Sequence, residues 1–283
     1  MKKMTITKNN GTNPAYQGIF DTLIQEVFGF SFQPWFEYKL WDDNYESYSI
    51  IENGKMLSNV CIYKSELLVQ GKKVPAMQFG AVATLPEARG RGLSRLLMNH
   101  ILSLYPDRLA YLAANKSVKD FYPLFGFKQI QTYSAKINAE INNDPAAAIK
   151  YEEDDNIVQQ ALQTRGAFSG ILDCINTAPI QMFHMIMSYS DAIYHLPKSD
   201  VIALAQQQGD TLYIADIISQ KPISFSDLAT ELPFTGVKTV EFGFCPDWLG
   251  ITPTWAEAEG EFIFVKGNWN LPTHFRFPQT SET

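Results

Sequence analysis

Thr84-Leu-Pro-Glu-Ala-Arg-Gly-Arg-Gly-Leu-Ser-Arg95 stands between two segments of opposite character. Before it, Ala76 to Thr84 (AMQFGAVAT) is almost wholly apolar, which predicts a central strand. After it, Leu93, Leu96, Leu97, Ile101 and Leu104 recur at helical spacing, and Pro106 ends the pattern. Gly90 and Gly92 let a ligand approach the backbone without interference from a Cβ. A helix beginning at Leu93 points unpaired N–H groups and the positive end of its dipole back into the loop. Arg89, Arg91 and Arg95 add positive charge, so the construction suits a pyrophosphate. Two common phosphate loops are excluded. No Gly-Lys-Ser/Thr ending is present, and Gly90-Arg-Gly92-Leu-Ser-Arg95 lacks the third glycine of a dinucleotide fingerprint.

Upstream, Asn13 to Val27 carries apolar residues at helical spacing. An aromatic-rich stretch follows, with Phe28, Phe30, Phe32, Trp35, Phe36, Tyr38 and Trp41. Tyr48–Ile51 and Met56–Tyr63 read as strands around Asn53-Gly54, a dipeptide suited to a tight hairpin turn. A second hairpin is predicted around Gly71. Downstream, Leu109–Ala113 is a short strand. Ser117-Val-Lys-Asp120 opens a short helix that Gly126 closes, and Phe127–Ile137 resumes strand character. Strands, then helix, strand, helix and strand predict an α/β fold with a mixed sheet.

The loop resembles the [Gln/Arg]-x-x-Gly-x-[Gly/Ala] motif of the GNAT acyl-CoA N-acetyltransferases, with Ser94 standing where that motif has Gly or Ala. A second match strengthens the resemblance. In Asn115-Lys-Ser-Val-Lys-Asp-Phe-Tyr122-Pro-Leu-Phe-Gly126-Phe127 an Asn is followed by Tyr seven residues on and then by Gly-Phe, as in the later motif of that family. The resemblance extends over about residues 1–140. The hairpin with Val69-Gln-Gly71-Lys, and the length, look like the N-terminal part of the enhanced-intracellular-survival type acetyltransferases. Those enzymes carry a second GNAT-like domain and a further C-terminal domain, for all of which this chain is too short. It ends in Ser-Glu-Thr283 rather than the aromatic terminus whose carboxylate serves as a base in that branch, so that role is not carried over.

The resemblance implies direct acetyl transfer from acetyl-CoA to an amine. Arg89, Gly90, Arg91, Gly92, Leu93, Ser94 and Arg95 would hold the CoA pyrophosphate. Val82, Ala83 and Thr84 would pair with the pantetheine like an added strand, and Asn115 would bind the pantetheine arm or the phosphates. Tyr122 would give a proton to the departing thiolate, a phenol (pKa about 10) being close in acidity to a thiol (about 8.5). Pro123 removes a helix hydrogen bond beside it and can displace the phenol. Phe32, Trp35 and Phe36 would wall the acceptor and hold a cation through their faces. The base is open: Ala76–Thr84 contains no acid, which leaves a water relay, an acid from the second domain, Glu37 or Asp42. No metal site is expected.

Residues 1–150 carry 17 Lys+Arg and 13 Asp+Glu, and residues 151–283 carry 6 and 17. The imbalance suggests an anionic ligand in the first half and a cationic one nearby, or merely an acidic, solubilising surface. Asn138–Asp155 is polar and contains a Pro. The expected organisation is therefore an acetyltransferase domain over 1–140, a linker over 141–155 and a second, smaller α/β domain over 156–283. The order of its elements echoes the first half, as a degenerate GNAT-like copy would. A net charge of −7 argues against nucleic acid. The start has no apolar signal region and no apolar run approaches the roughly 20 residues of a membrane span. Three scattered cysteines read as free thiols in a reducing cytoplasm. The functional expectation is an N-acetyltransferase acting on a small, cationic amine. The alternatives are a catalytically inactive acyl-CoA-binding sensor or interaction protein, and a protein-lysine acetyltransferase. Oligomeric state is left open.

Overall fold

Two tight turns set the register of the first sheet. Asn53-Gly54 has φ of 52° and 77°, and Gln70-Gly71 has 49° and 73°. Positive φ at both central residues matches the twist of paired strands. The turns join β2 (Tyr45–Glu52), β3 (Lys55–Val69) and β4 (Lys72–Thr84) into an antiparallel meander, with β1 (Ile6–Asn9) on its outer edge. The computed structural model describes residues 5–9 and 11–283. From β4 the chain crosses through α3 (Leu93–Leu104) to β5 (Leu109–Ala113), which runs parallel to β4.

Helix α1 (Pro14–Phe28) begins at Asn13, whose side chain accepts from the Ala15 and Tyr16 N–H groups, and ends at Gly29 with φ 78°. Tyr16, Phe20, Leu23 and Ile24 recur at three- and four-residue spacing and are buried, forming the stripe that packs on the sheet. The short α2 (Gln33–Glu37) drives Trp35 and Phe36 into the same core, with Trp41 stacked on Phe36. The expected helix after Ser117 is instead a pair of 3-10 turns, Lys116–Val118 and Tyr122–Phe125. Pro123, without an N–H, cannot sustain the α-helical ladder there.

The remaining strands are β6 (Lys128–Ile130), β7 (Tyr133–Ile141), β8 (Ile149–Lys150), β9 (Leu172–Ile175), β10 (Ile193–Leu196), β11 (Val201–Gln208), β12 (Thr211–Ile218), β13 (Val237–Phe242), β14 (Thr254–Glu257) and β15 (Ile263–Lys266). Among them lie α4 (Asn156–Thr164), α5 (Ala178–His184) and α6 (Phe225–Ala229). The first sheet has the order β1-β2-β3-β4-β5-β15-β6, with β9 also on β3, and the second has β14-β7-β13-β12-β11-β10-β8. The two follow one plan. In each, an antiparallel hairpin (β3–β4, β11–β12) is followed by a helix and a strand parallel to the hairpin's second arm (β5, β13).

The next strand in each sheet comes from the other half of the chain. β15 lies between β5 and β6, while β7 lies between β13 and β14. The segment expected as one strand, Phe127–Ile137, is therefore split between two sheets. The polar stretch that begins at Asn138 does not open as a linker: residues 138–141 complete β7. Arg165 stitches the sheets together, its guanidinium 3.2 Å from Asp173 on β9 and 3.4 Å from Asp216 on β12. All three side chains are buried, and Gln181 and Thr280 donate to the remaining Asp216 oxygen. Among the described residues, no helix is long and apolar enough to cross a membrane.

Candidate active site

The parallel pairing of β4 and β5 stops early. Ala76, Met77 and Gln78 face Leu109, Ala110 and Tyr111, after which no further pairs form although both strands continue. The strands part there and open a cleft of about 1330 Å³. Phe79, Gly80, Ala81, Val82 and Thr84 line one side, and Ala113, Ala114 and Asn115 the other.

A bulge shapes the β4 side. Asn59 faces Ala83 and Cys61 faces Gly80, so the residues between them fall out of register. Ala81 takes φ 47°, a conformation that costs a non-glycine residue about 1–2 kcal/mol. Asn59, fully buried, holds this geometry: its amide donates to the Ala81 carbonyl at 3.1 Å while its oxygen accepts from Ser47 at 2.5 Å. The bulge frees the backbone around Ala81 and Val82 from the ladder, where an extended ligand can pair with it. The sequence signal for this device is the polar pair Ser58-Asn59 interrupting the run from Met56 to Tyr63.

At the end of β4 the loop turns through Gly90 (φ 76°) and Gly92 (φ 75°) into α3. A Cβ on either glycine would meet no atom within 4 Å, so both open onto free space. The first helical bond runs from Leu96 N to Gly92 O, which leaves the N–H groups of residues 93–95 at the open helix end. Ser94 is tied back into the strand, its hydroxyl 2.5 Å from that of Thr84, which lies 2.8 Å from Ser58. The departure from a smaller residue at 94 is thus absorbed by a hydroxyl network beneath the loop. Arg89 and Arg95 line the cleft, whereas Arg91 pairs with Glu52 at 2.7 Å, on the outside.

Across the opening, Asn115 is exposed at the rim and Tyr122 lies deeper, 5% exposed and packed against Phe121, Phe127 and Phe264. Burial pushes the Tyr122 phenol up to about 12, so it stays protonated at neutral pH.

The far wall comes from both halves of the chain. Phe28, Phe30, Phe32 and Trp35 meet Ile180 and Phe183 of α5, with Met187 and Ser188 just beyond it. The Trp35 indole donates to Pro179 O at 2.8 Å and fixes this junction. The floor is closed by Thr283: a Cβ on Gly80 would lie 2.5 Å from its Oγ1. The Gln78 amide binds this tail, donating to Ser281 O (2.9 Å) and accepting from Thr283 N (2.8 Å). His184 Nε2 reaches Glu282 O at 2.6 Å, and burial lowers its pKa, leaving it neutral.

Of the residues singled out in the sequence, Val82, Thr84, Arg89, Gly90, Gly92, Leu93, Ser94, Arg95, Asn115, Tyr122, Phe32 and Trp35 gather on the one cleft. Ala83 points into the core, Phe36 is buried between Phe32 and Trp41, and Arg91 faces outward. Neither Glu37 nor Asp42, the acids named as candidate bases, is among the residues lining the cleft, and the Asp42 carboxylate accepts from the Asn44 amide and the Tyr45 N–H. Ala81, Asn59, Phe183 and Thr283 were not anticipated. The acidity of the second half is not what it presents here, since its contributions to the wall are chiefly apolar.

Residues 12–130 match the profile of the acetyltransferase (GNAT) domain. Among solved structures, the chain is similar to a conserved protein of unknown function from Enterococcus faecalis, titled a probable N-acyltransferase. The identity is 16% with TM-score 0.57, over 93% of this chain and 72% of that one. It is similar to Eis1 from Mycobacterium abscessus (16%, TM-score 0.56, 92% and 73%). It is also similar to a GCN5-related N-acetyltransferase from Kribbella flavida (14%, TM-score 0.55, 93% and 71%). At such identities the likeness is one of fold. No curated protein sequence matches.

Proposed function

We propose that the chain, whose residues 12–130 match the acetyltransferase (GNAT) domain, is an acetyl-CoA-dependent N-acetyltransferase that acts on the primary amine of a small acceptor. The observation that carries this is the parting of β4 from β5 after Gln78 and Tyr111. The opening is bracketed by a glycine–arginine helix start on one side and by Tyr122 on the other.

Acetyl-CoA supplies an activated acetyl thioester. The open helix end at residues 93–95, with Arg89 and Arg95, suits its pyrophosphate, and the space over Gly90 and Gly92 admits it. The bulged backbone at Ala81 and Val82 offers an unpaired edge for the pantetheine and N–H groups to polarise the carbonyl. Asn115 sits where the arm would cross the rim. Tyr122 holds its proton at the sulfur end. The burial that weakens the phenol as an acid also raises the pKa of a thiol in the same cleft, so transfer between them stays near balance. The neutral amine attacks the thioester carbonyl from the aromatic side, where Phe32 and Trp35 stand and Phe36 backs them from the core. The C–S bond breaks, CoA leaves as the thiol with the Tyr122 proton, and the nitrogen gives its extra proton to water, which reprotonates the phenolate. The chain order suggests two GNAT-like domains, 1–140 and 156–283, with β7 and β15 exchanged between them. Free, buried Cys61, Cys174 and Cys245 support the expected reducing, cytoplasmic setting.

The test combines calorimetry with CoA and acetyl-CoA and a thiol-release assay over a panel of amines. Saturable binding and amine-dependent release are expected. Tyr122→Phe should lower kcat by about ten- to a hundredfold while leaving the acetyl-CoA Kd within about twofold. Failure of the folded protein to take up either form of CoA would overturn the reading. Binding without turnover on any amine, lysine peptides included, would favour a sensor.

A further inference from the structure

Resting on the acetyltransferase reading, we propose that the acceptor is a monoamine on an apolar, ring-bearing body, an arylalkylamine in chemical class, rather than a polycation. Phe28, Phe30, Phe32 and Phe183 form a continuous aromatic wall, with successive ring centroids 6.1, 5.4 and 5.0 Å apart. Phe28 and Met187 are each 38% exposed, so the wall presents apolar surface to the cleft that a ligand can cover. The wall is held in place before any ligand arrives. Gly29 turns the chain between Phe28 and Phe30. The Asp21 carboxylate then accepts from the Phe32 N–H at 2.6 Å and from the Ser31 hydroxyl.

Charge points the same way. Among the described residues, the ionised side chains lining the cleft are Arg89 and Arg95, both at the loop on the phosphate side. The ring faces can hold one ammonium, but each additional one of a polyamine or aminoglycoside would be desolvated against this wall with no Asp or Glu side chain on the lining to pair it. Asp21, the carboxylate beside the wall, is taken up by Ser31, Phe32 and Gln25. A single amine on an aromatic body buries its ring on the wall and reaches the sulfur end near Tyr122 with its nitrogen. Desolvation there lowers the pKa of the amine and favours the neutral nucleophile.

The experiment measures thiol release from acetyl-CoA by the full chain with phenethylamine, tryptamine and hexylamine against putrescine, spermidine and kanamycin. The ring-bearing amines are expected to exceed the polycations in kcat/KM by about tenfold or more. Phe28→Asp, at an exposed rim position, should raise the phenethylamine KM by about tenfold, lower that of putrescine and leave the acetyl-CoA KM unchanged. Met187→Glu, equally exposed, should do the same if the first variant folds poorly. Preference for polycations with transfer intact would overturn the inference and leave the acetyltransferase reading standing. Faster use of hexanoyl-CoA than acetyl-CoA, with no discrimination among amines, would assign the wall to an acyl chain and also overturn it. Acetyl-CoA uptake without transfer to any amine would overturn both.

Discussion

Asn59 and Ala81 show how single residues set the chemistry of the cleft. A positive φ at Ala81 survives because the buried Asn59 amide holds its carbonyl. Asn59→Leu would leave the Ala81 carbonyl and the Ser47 hydroxyl without this partner, at a cost of about 1–3 kcal/mol. Denaturant unfolding should register that loss, and kcat should fall by more than acetyl-CoA affinity, because the bulge shapes the thioester end. Tyr122 makes a pH prediction. With its phenol at about 12, above its value of 10.0 in an unfolded chain, it remains a neutral donor across the assayable range. The pH–rate profile should rise as the amine deprotonates and show no falling limb below about pH 11. A limb centred near pH 9 would remove Tyr122 from the donor role.

The elements that matter most are the ones that end at the cleft. The tail after Phe277 is held by Gln78, His184 and Asp216, so that Thr283 floors the site. Burial pushes the Glu282 carboxyl in this tail up to about 8, against the pull of Arg276. Between the unfolded value of 4.5 and about 8, the folded chain therefore binds more protons than the unfolded one. This group's contribution to stability is full below 4.5 and is lost as pH rises through 8. Below 6.5 the buried His184, its pKa lowered, adds a slope of opposite sign, so the fall in Tm should show between pH 6.5 and pH 8, and Glu282→Gln should flatten that fall while raising Tm at pH 8. An unchanged slope in the variant would assign the dependence to other groups.

For the whole molecule, the reciprocal placement of β7 and β15 binds the halves into one folding unit. A fragment ending at residue 140 keeps β6 but loses β15, the strand that pairs it to β5. It also strands β7 without its partners β13 and β14. Such a fragment should be expanded or aggregated by light scattering, whereas the intact chain should melt in one transition. An independently folded, CoA-binding fragment would refute this.

The loop from Thr84 to Arg95 was legible in the chain because its chemistry is local, as was the spacing of Asn115 and Tyr122, although the helix expected between them is a pair of 3-10 turns. Glycine conformation, a helix start and a seven-residue spacing are settled within a few peptide units. Tight turns at Asn53 and Gly71 were legible for the same reason. Tertiary structure alone decided the rest. Trp35 meets Pro179 across 144 residues, Gln78 meets the tail at Thr283, and β15 inserts beside β5. Composition even pointed elsewhere, since an acidic second half delivers Phe183 and Met187 to the site while Asp173 and Asp216 are consumed by Arg165. Which strand neighbours which, and which ring faces a cleft, depends on burial summed over the whole chain, and no local window contains that sum.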